Sequence, residues 1–217
     1  VQELLQRFEV ATAKVGQEYV LNTFDLGGCM KALPLIWKNP ERYAKHVVMP
    51  GQFHTTMNYM GMITSHKLRG SAYADILQEA NLVKSGFLKN VLSGKAYAKA
   101  LFCLKTVGEA MERLLIEQFI EEESVKIDDP AAILNLVSSC CRQNTDAAVQ
   151  DHSVLNNFHK ISEFEDKIQK GHLGKTATFW FSFIEHNRLV SMLLYAVKTN
   201  NLKLLHKCNG DMADIFF

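Results

Sequence analysis

The chain has 217 residues, of which 47% are apolar and 22% are charged, and its formal net charge is +1 at pH 7. This length suits one domain, or one domain with a large insertion, and it is enough to bury a sizeable core. The near-neutral charge argues against a stand-alone nucleic-acid-binding domain, which usually has an excess of basic residues. No run of about 18 apolar residues appears, so the sequence predicts no membrane span.

The N-terminal residues have the pattern of neither a signal peptide nor a transit peptide. Because the sequence does not begin with Met, we expect it to be a segment of a longer chain. The five cysteines follow no metal-binding or disulfide spacing, and Cys140 is adjacent to Cys141. We therefore expect free, buried thiols in a reducing intracellular compartment.

The N-terminal part of the chain alternates between helical and strand patterns. Residues 2–15 predict a short helix that ends at Gly16. A run of β-branched and aromatic residues then predicts a strand at about 18–24, and Asp25 follows it directly. A carboxylate at the end of a strand is a candidate metal ligand, because Mg²⁺ prefers carboxylate oxygens and water. The alternative is that Asp25 caps the next helix, since Asp is a favoured N-cap residue.

A second strand is predicted at about 46–49, and Pro50-Gly51 separates it from a helix that begins near His54. The carboxyl ends of neighbouring parallel strands share one edge of a sheet, where α/β folds place their chemistry. Asp25 and His54 could therefore lie at one crevice. There His54 could donate to a phosphate or orient a metal-bound water, although a packed or surface histidine is the more common case.

Helical patterns dominate the remainder of the chain. They are predicted at 71–82, 86–93, 95–122, from Asp128-Asp129-Pro130 onward, at 175–198, and after Asn200-Asn201. The fold class is therefore mainly α with a small mixed α/β part. We divide the chain into a partial α/β core at 1–68, a helical insertion at 69–172, and C-terminal helices at 173–217 that return toward the core.

Ser93-Gly94-Lys95 has the composition of a phosphate-binding loop but not its spacing. The motif requires Gly where this chain has Lys89, and Ser or Thr where it has Ala96. Gly94 is therefore expected to separate two helices.

Several stretches carry a resemblance to a known family. These are Phe24-Asp25-Leu26, Gly51-Gln52-Phe53-His54, Ser93-Gly94-Lys95-Ala96-Tyr97 and Asp211-Met212-Ala213-Asp214-Ile215-Phe216-Phe217. These stretches resemble those of transposon-like animal proteins. In addition, the chain has the order strand, Asp25, helix, strand and a helix that opens with His54, followed by a long helical block. It is similar to the RNase H-like catalytic core of hAT-like and related cut-and-paste transposases of the DDE type.

The resemblance implies that Asp25 is the second metal-binding catalytic carboxylate and His54 the signature histidine, with Mg²⁺ or Mn²⁺ as cofactor. It also implies that the intact parent is a nuclear protein that cleaves and transfers DNA strands. Gly51 departs from the family pattern, because Cys or Asp usually opens the signature there. No Asp precedes Asp25, so the first catalytic carboxylate is missing, and the last Glu cannot be assigned among Glu163, Glu165, Glu185 or residues beyond Phe217.

A two-metal centre needs several carboxylates, so we expect this chain alone to be inactive. The alternative hypothesis is a non-catalytic, possibly domesticated, helical domain that binds a protein partner or forms a homo-oligomer. The helical excess and the near-neutral charge favour that alternative. A small-molecule enzyme with His54 as general base has little support, because no second positioned acid accompanies it.

Overall fold

The computed structural model describes residues 1–122 and 152–216. In chain order the elements are α1 (Gln2–Lys14), β1 (Val20–Phe24), α2 (Leu26–Lys38), β2 (His46–Pro50), α3 (Gln52–Met62), a π-helical turn (Ile63–Lys67), α4 (Tyr73–Glu79), α5 (Ser85–Leu92), α6 (Tyr97–Glu122), α7 (His152–Gln169), α8 (Lys175–Lys198) and α9 (Leu202–Phe216). The described part of the chain is thus mainly helical with one small sheet, which confirms the predicted fold class. The predicted helix start at Asp128 and the pair Cys140-Cys141 lie outside the described residues.

Strands β1 and β2 form a parallel pair, as the sequence predicts. The register runs from Val20 opposite His46 to Phe24 opposite Pro50. Helix α2 connects the two strands, because parallel neighbours need a crossover and cannot be joined by a tight turn. Pro50 is tolerated as the last strand residue, since a proline without an N–H group can occupy an edge strand.

The two faces of the sheet differ in exposure. On one face Val20, Asn22 and His46 are buried. On the other face Leu21 and Val47, which lie opposite each other, are 60% and 43% exposed. The alternation follows from the strand period of two residues, which sends successive side chains to opposite faces.

The chain divides into two compact units, each with its own apolar core. Unit 1 comprises Val1–Leu101 and Met192–Phe217, and unit 2 comprises Phe102–Ser191. The largest fully buried side chains of unit 1 are Leu5, Tyr59, Met60, Ile63, Tyr73, Leu77, Val91, Leu193 and Met212. The core of unit 2 contains Leu115, Phe119, Phe164, Ile168, Phe181 and Ile184.

Helix boundaries follow the local signals of the sequence closely. The helix predicted at 71–82 is shorter, Tyr73–Glu79, and Asn81 beyond it has a left-handed φ of 53° that does not continue a right-handed helix. Cys29, Cys103 and Cys208 are buried, and none of the three takes part in a disulfide bond within the described residues. Among the described helices, none combines the length and the apolar character that a membrane crossing requires.

Candidate functional site at the carboxyl end of the sheet

The carboxyl ends of β1 and β2 bring Asp25 and the start of α3 to one edge of the sheet. The Gly51 N–H donates to the Phe24 carbonyl oxygen at 2.6 Å, so the ladder continues one residue beyond the strands. A Cβ atom at Gly51 would lie 3.2 Å from that oxygen, which is a tight contact. This packing offers a physical reason for the absence of a side chain at this position.

Asp25 is exposed and forms the N-cap of α2. Its Oδ1 accepts a hydrogen bond from the Gly28 N–H at 2.6 Å. Gly28 is required here, since a Cβ atom at that position would lie 2.8 Å from the Cβ of Phe24. The capping alternative is therefore correct for Oδ1, and Oδ2 has no hydrogen-bond partner within the described residues. One oxygen of Asp25 thus remains able to bind a ligand.

His54 is the third residue of α3 and is half-buried. Its ring lies edge-on to Phe53, with 5.3 Å between the ring centroids, and Phe53 in turn contacts Tyr97 at 4.6 Å. No hydrogen bond joins Asp25 to His54 in the part of the chain that the structure describes. The two residues share an edge of the sheet, and their roles remain predictions.

Ser93-Gly94-Lys95 is a helix junction, which agrees with the prediction that Gly94 separates two helices. Gly94 has a left-handed φ of 74°, and a Cβ atom there would lie 2.3 Å from the Met57 carbonyl oxygen. A Cβ atom at Gly61 would likewise lie 2.8 Å from the Ser93 carbonyl oxygen. Small residues on both sides let the backbone of this junction lie directly on α3.

The sheet contains a buried polar pair that was not predicted from the sequence. The side-chain Nδ2 of Asn22 donates to the Val20 carbonyl oxygen at 3.0 Å and lies 3.1 Å from Nδ1 of His46. The bond to Val20 fixes the orientation of the amide, so Nδ1 of His46 is the acceptor and the neutral ring carries its proton on Nε2. The sequence signal for this pair is that Asn22 and His46 are polar residues at strand positions on the buried face of the sheet.

Burial lowers the pKa of His46, because the charged imidazolium is poorly solvated there. The charge of Glu9 raises that pKa and the charge of Arg42 lowers it further. Arg42 forms a two-pronged ion pair with Glu9, with nitrogen–oxygen distances of 3.0 and 2.8 Å. His46 is therefore a neutral structural residue under ordinary conditions.

Unit 2 contains an arginine held between two carboxylates. Arg188 donates to both oxygens of Glu112 at 2.6 and 2.7 Å and to Glu165 at 2.8 Å. Burial raises the pKa of the nearby Glu185, an effect that the positive charge of Arg188 opposes. Glu165, one of the candidates for the last catalytic Glu, is thus engaged in an ion pair within unit 2.

The described residues of this chain offer few ligands for a metal ion. No group of three or more His, Cys, Asp or Glu side chains lies close enough together to hold a metal ion among them. Asp25 supplies one free carboxylate oxygen. The residues described here therefore do not fit a two-metal centre.

No curated protein and no solved structure matches this chain. A family match does exist, and it extends from residue 1 to residue 217. On that match the chain belongs to the family described as a domain of unknown function, DUF8702.

Proposed function

We propose that the chain is a fragment of a transposon-derived transposase core with an RNase H-like arrangement, whose intact nuclear parent cleaves and transfers DNA strands in a metal-dependent reaction. The observation that supports this proposal is the parallel β1–β2 pair, whose carboxyl ends share one edge with Asp25 and the start of α3, where His54 lies. Such an edge is where α/β sheets hold ligands, because fixed backbone positions surround an open crevice.

Within this proposal, Asp25 uses its free oxygen to bind Mg²⁺ or Mn²⁺ in the parent, and His54 donates a hydrogen bond to a DNA phosphate. A hard divalent cation favours carboxylate oxygen over other protein ligands. Because the described residues do not complete the centre, we derive no catalytic step from this chain. Further carboxylates would come from the parent, and the isolated chain is expected to be inactive.

The proposal can be tested with Mn²⁺ as a paramagnetic probe in NMR spectra of the chain. We expect Mn²⁺ to broaden the amide signals around Gly28 and Gly51 first, and the effect to be lost in Asp25→Asn. Asn keeps a capping oxygen, so this variant removes the charge while sparing the helix start. Asp75→Asn, which changes an acidic residue in the first turn of α4, is the matched control.

Broadening that is the same in Asp25→Asn and the original chain would reject Asp25 as a metal ligand. A plasmid-nicking assay with Mg²⁺ or Mn²⁺ tests the expected inactivity separately. Nicking by the purified chain that disappears in Asp25→Asn would show that the fragment is itself a nuclease, contrary to our expectation.

The second candidate is a non-catalytic interaction domain, and the outer face of the sheet favours it. Leu21, Val47 and Tyr19 are 60%, 43% and 58% exposed. Parallel strands are normally covered on both faces, so an uncovered apolar face is unusual. If this face mediates self-association, sedimentation velocity will show a dimer that Leu21→Lys dissociates and Leu202→Lys, at an exposed position of α9, does not. A monomer that binds DNA more tightly as salt falls would instead favour the first candidate.

A further inference from the structure

A cleft in unit 1, lined by none of the residues at the carboxyl edge of the sheet, has the chemistry of an anion site. It has a volume of about 680 Å³ and is formed by the π-helical turn, the loop after it, α4 and α5. Its lining includes the polar and charged residues Thr64, Arg69, Ser71, Tyr73, Ser85 and Lys89. This volume falls within the range of about 300–1,000 Å³ that small-molecule sites occupy.

The charged residues that line this cleft are all basic. Arg69 and Lys89 both line it, and none of its described lining residues is acidic. Neither cation takes part in a salt bridge within residues 1–122 and 152–216. The stretch 63–95 as a whole carries five lysines and arginines against two acidic residues, although the complete chain has a net charge of only +1. The cleft therefore lies in a stretch of the chain whose basic residues outnumber its acidic ones.

Hydrogen bonds hold the walls of the cleft in place. The Thr64 hydroxyl, within the π-helical turn, donates to the Leu92 carbonyl oxygen and so ties that turn to the end of α5. The Ser71 hydroxyl donates to the Leu68 carbonyl oxygen at 2.7 Å and accepts from the Tyr73 N–H at 3.3 Å. These bonds fix the loop that carries Arg69.

One hydroxyl in the cleft keeps its proton for a ligand. Ser85 accepts a hydrogen bond from the Gln78 side-chain nitrogen at 2.9 Å, so its own O–H group can donate elsewhere. A guanidinium, an ammonium and this hydroxyl together supply donors of three kinds. That set suits an oxyanion with several acceptor oxygens, because charged donors form the strongest hydrogen bonds to phosphate.

We propose that this cleft binds a phosphate group through Arg69, Lys89 and Ser85. The group can belong to a small phosphorylated compound or to the backbone of DNA, which share the same chemistry. The proposal does not depend on Asp25 or His54, so it stands or falls separately from the proposed function. π-Helical turns are frequent at functional sites, which agrees with a ligand at this position.

Isothermal titration calorimetry at low salt tests the proposal with three probes, namely inorganic phosphate, a nucleoside monophosphate and a short DNA duplex. We expect at least one probe to bind the original chain. Arg69→Gln and Lys89→Gln should each weaken that binding about tenfold, because each removes a charged donor, and the double variant should abolish it. Lys84→Gln, at the N-cap of α5 and outside the cleft, is the matched control and should bind normally.

The probes also identify the source of the phosphate. Binding of the two small probes that depends on Arg69 and Lys89 supports a small phosphorylated ligand, whereas dependent binding of the duplex alone supports a DNA backbone. No binding of any probe, or binding that Lys84→Gln weakens as much as the cleft variants do, would overturn the proposal. Circular dichroism melts will establish whether all variants are folded. We expect them to fold, because the side chains of Arg69 and Lys89 are exposed.

Discussion

The N-cap of α2 offers a prediction that separates the structural role of Asp25 from its proposed chemical role. In Asp25→Ala the 2.6 Å bond from the Gly28 N–H is lost. An N-cap replaced by Ala costs about 1 kcal/mol, and we adopt that value because Asp25 is exposed and water partly replaces the bond. For a chain of this length the loss corresponds to a decrease in Tm of about 2–4 °C.

Asp25→Asn provides the comparison, because its side-chain oxygen can accept the same bond. It loses the favourable interaction of a negative charge with the N-terminus of the helix, which is about 0.3 kcal/mol at an exposed site. The two variants should therefore differ by about 0.7 kcal/mol in the free energy of unfolding, as the difference between the capping and dipole effects.

Urea unfolding followed by far-UV circular dichroism measures both variants, with an unchanged slope against urea as evidence that the unfolding transition is the same. Asp75→Ala serves as the control for loss of an acidic residue early in a helix, and it should change the free energy of unfolding by less than about 0.5 kcal/mol. If Asp25→Asn is destabilised as much as Asp25→Ala, the negative charge and not the hydrogen bond stabilises this helix start. That result would refute the capping argument.

Three further predictions concern packing, pH and charge. Gly94→Ala should destabilise the protein by about 3 kcal/mol, since it combines a left-handed φ with a steric clash. Gly16 has a similar φ but open space around it, so Gly16→Ala should cost only about 1 kcal/mol. Similar losses of stability in both variants would contradict the clash. The pKa of His46 is lower in the folded state than in the unfolded state. The contribution of His46 to stability should therefore be full above about pH 6.5 and should decrease as the pH falls below it. In His46→Gln, denaturation midpoints measured across this range should lose this pH dependence, and an unchanged profile would show that other groups cause it. Arg188→Met should destabilise unit 2 by about 1–2 kcal/mol, reduced by partial exposure, and a double-mutant cycle with Glu112→Gln that shows no coupling would refute the ion pair.

The comparison of sequence and structure shows where local signals were sufficient. The two strands and the helices at 95–122 and 175–198 were predicted within a few residues. Their signals lie within short stretches, such as the β-branched run before Asp25 and the helical spacing of apolar residues. The capping alternative for Asp25 was also available, because an N-cap depends on residues only three positions apart.

The long-range features depended on the tertiary structure. The contact of Asn22 with His46, the pairing of Arg188 with Glu112 and Glu165, and the approach of Gly94 to α3 all join residues that are distant along the chain. No sequence pattern encoded these partners. The cleft with Arg69 and Lys89 was missed for the same reason, since its two cations are twenty positions apart and belong to no motif.

The sequence by itself determined which segments are helices or strands and placed an acidic residue at the end of the first strand. These properties follow from backbone sterics and from the spacing of apolar side chains, which act over a few residues. Only the tertiary structure decided which polar groups share a buried pair, an ion pair or a cleft. Those partners are selected by packing the whole chain, because a polar group that loses water must find its compensating contact wherever the fold supplies one.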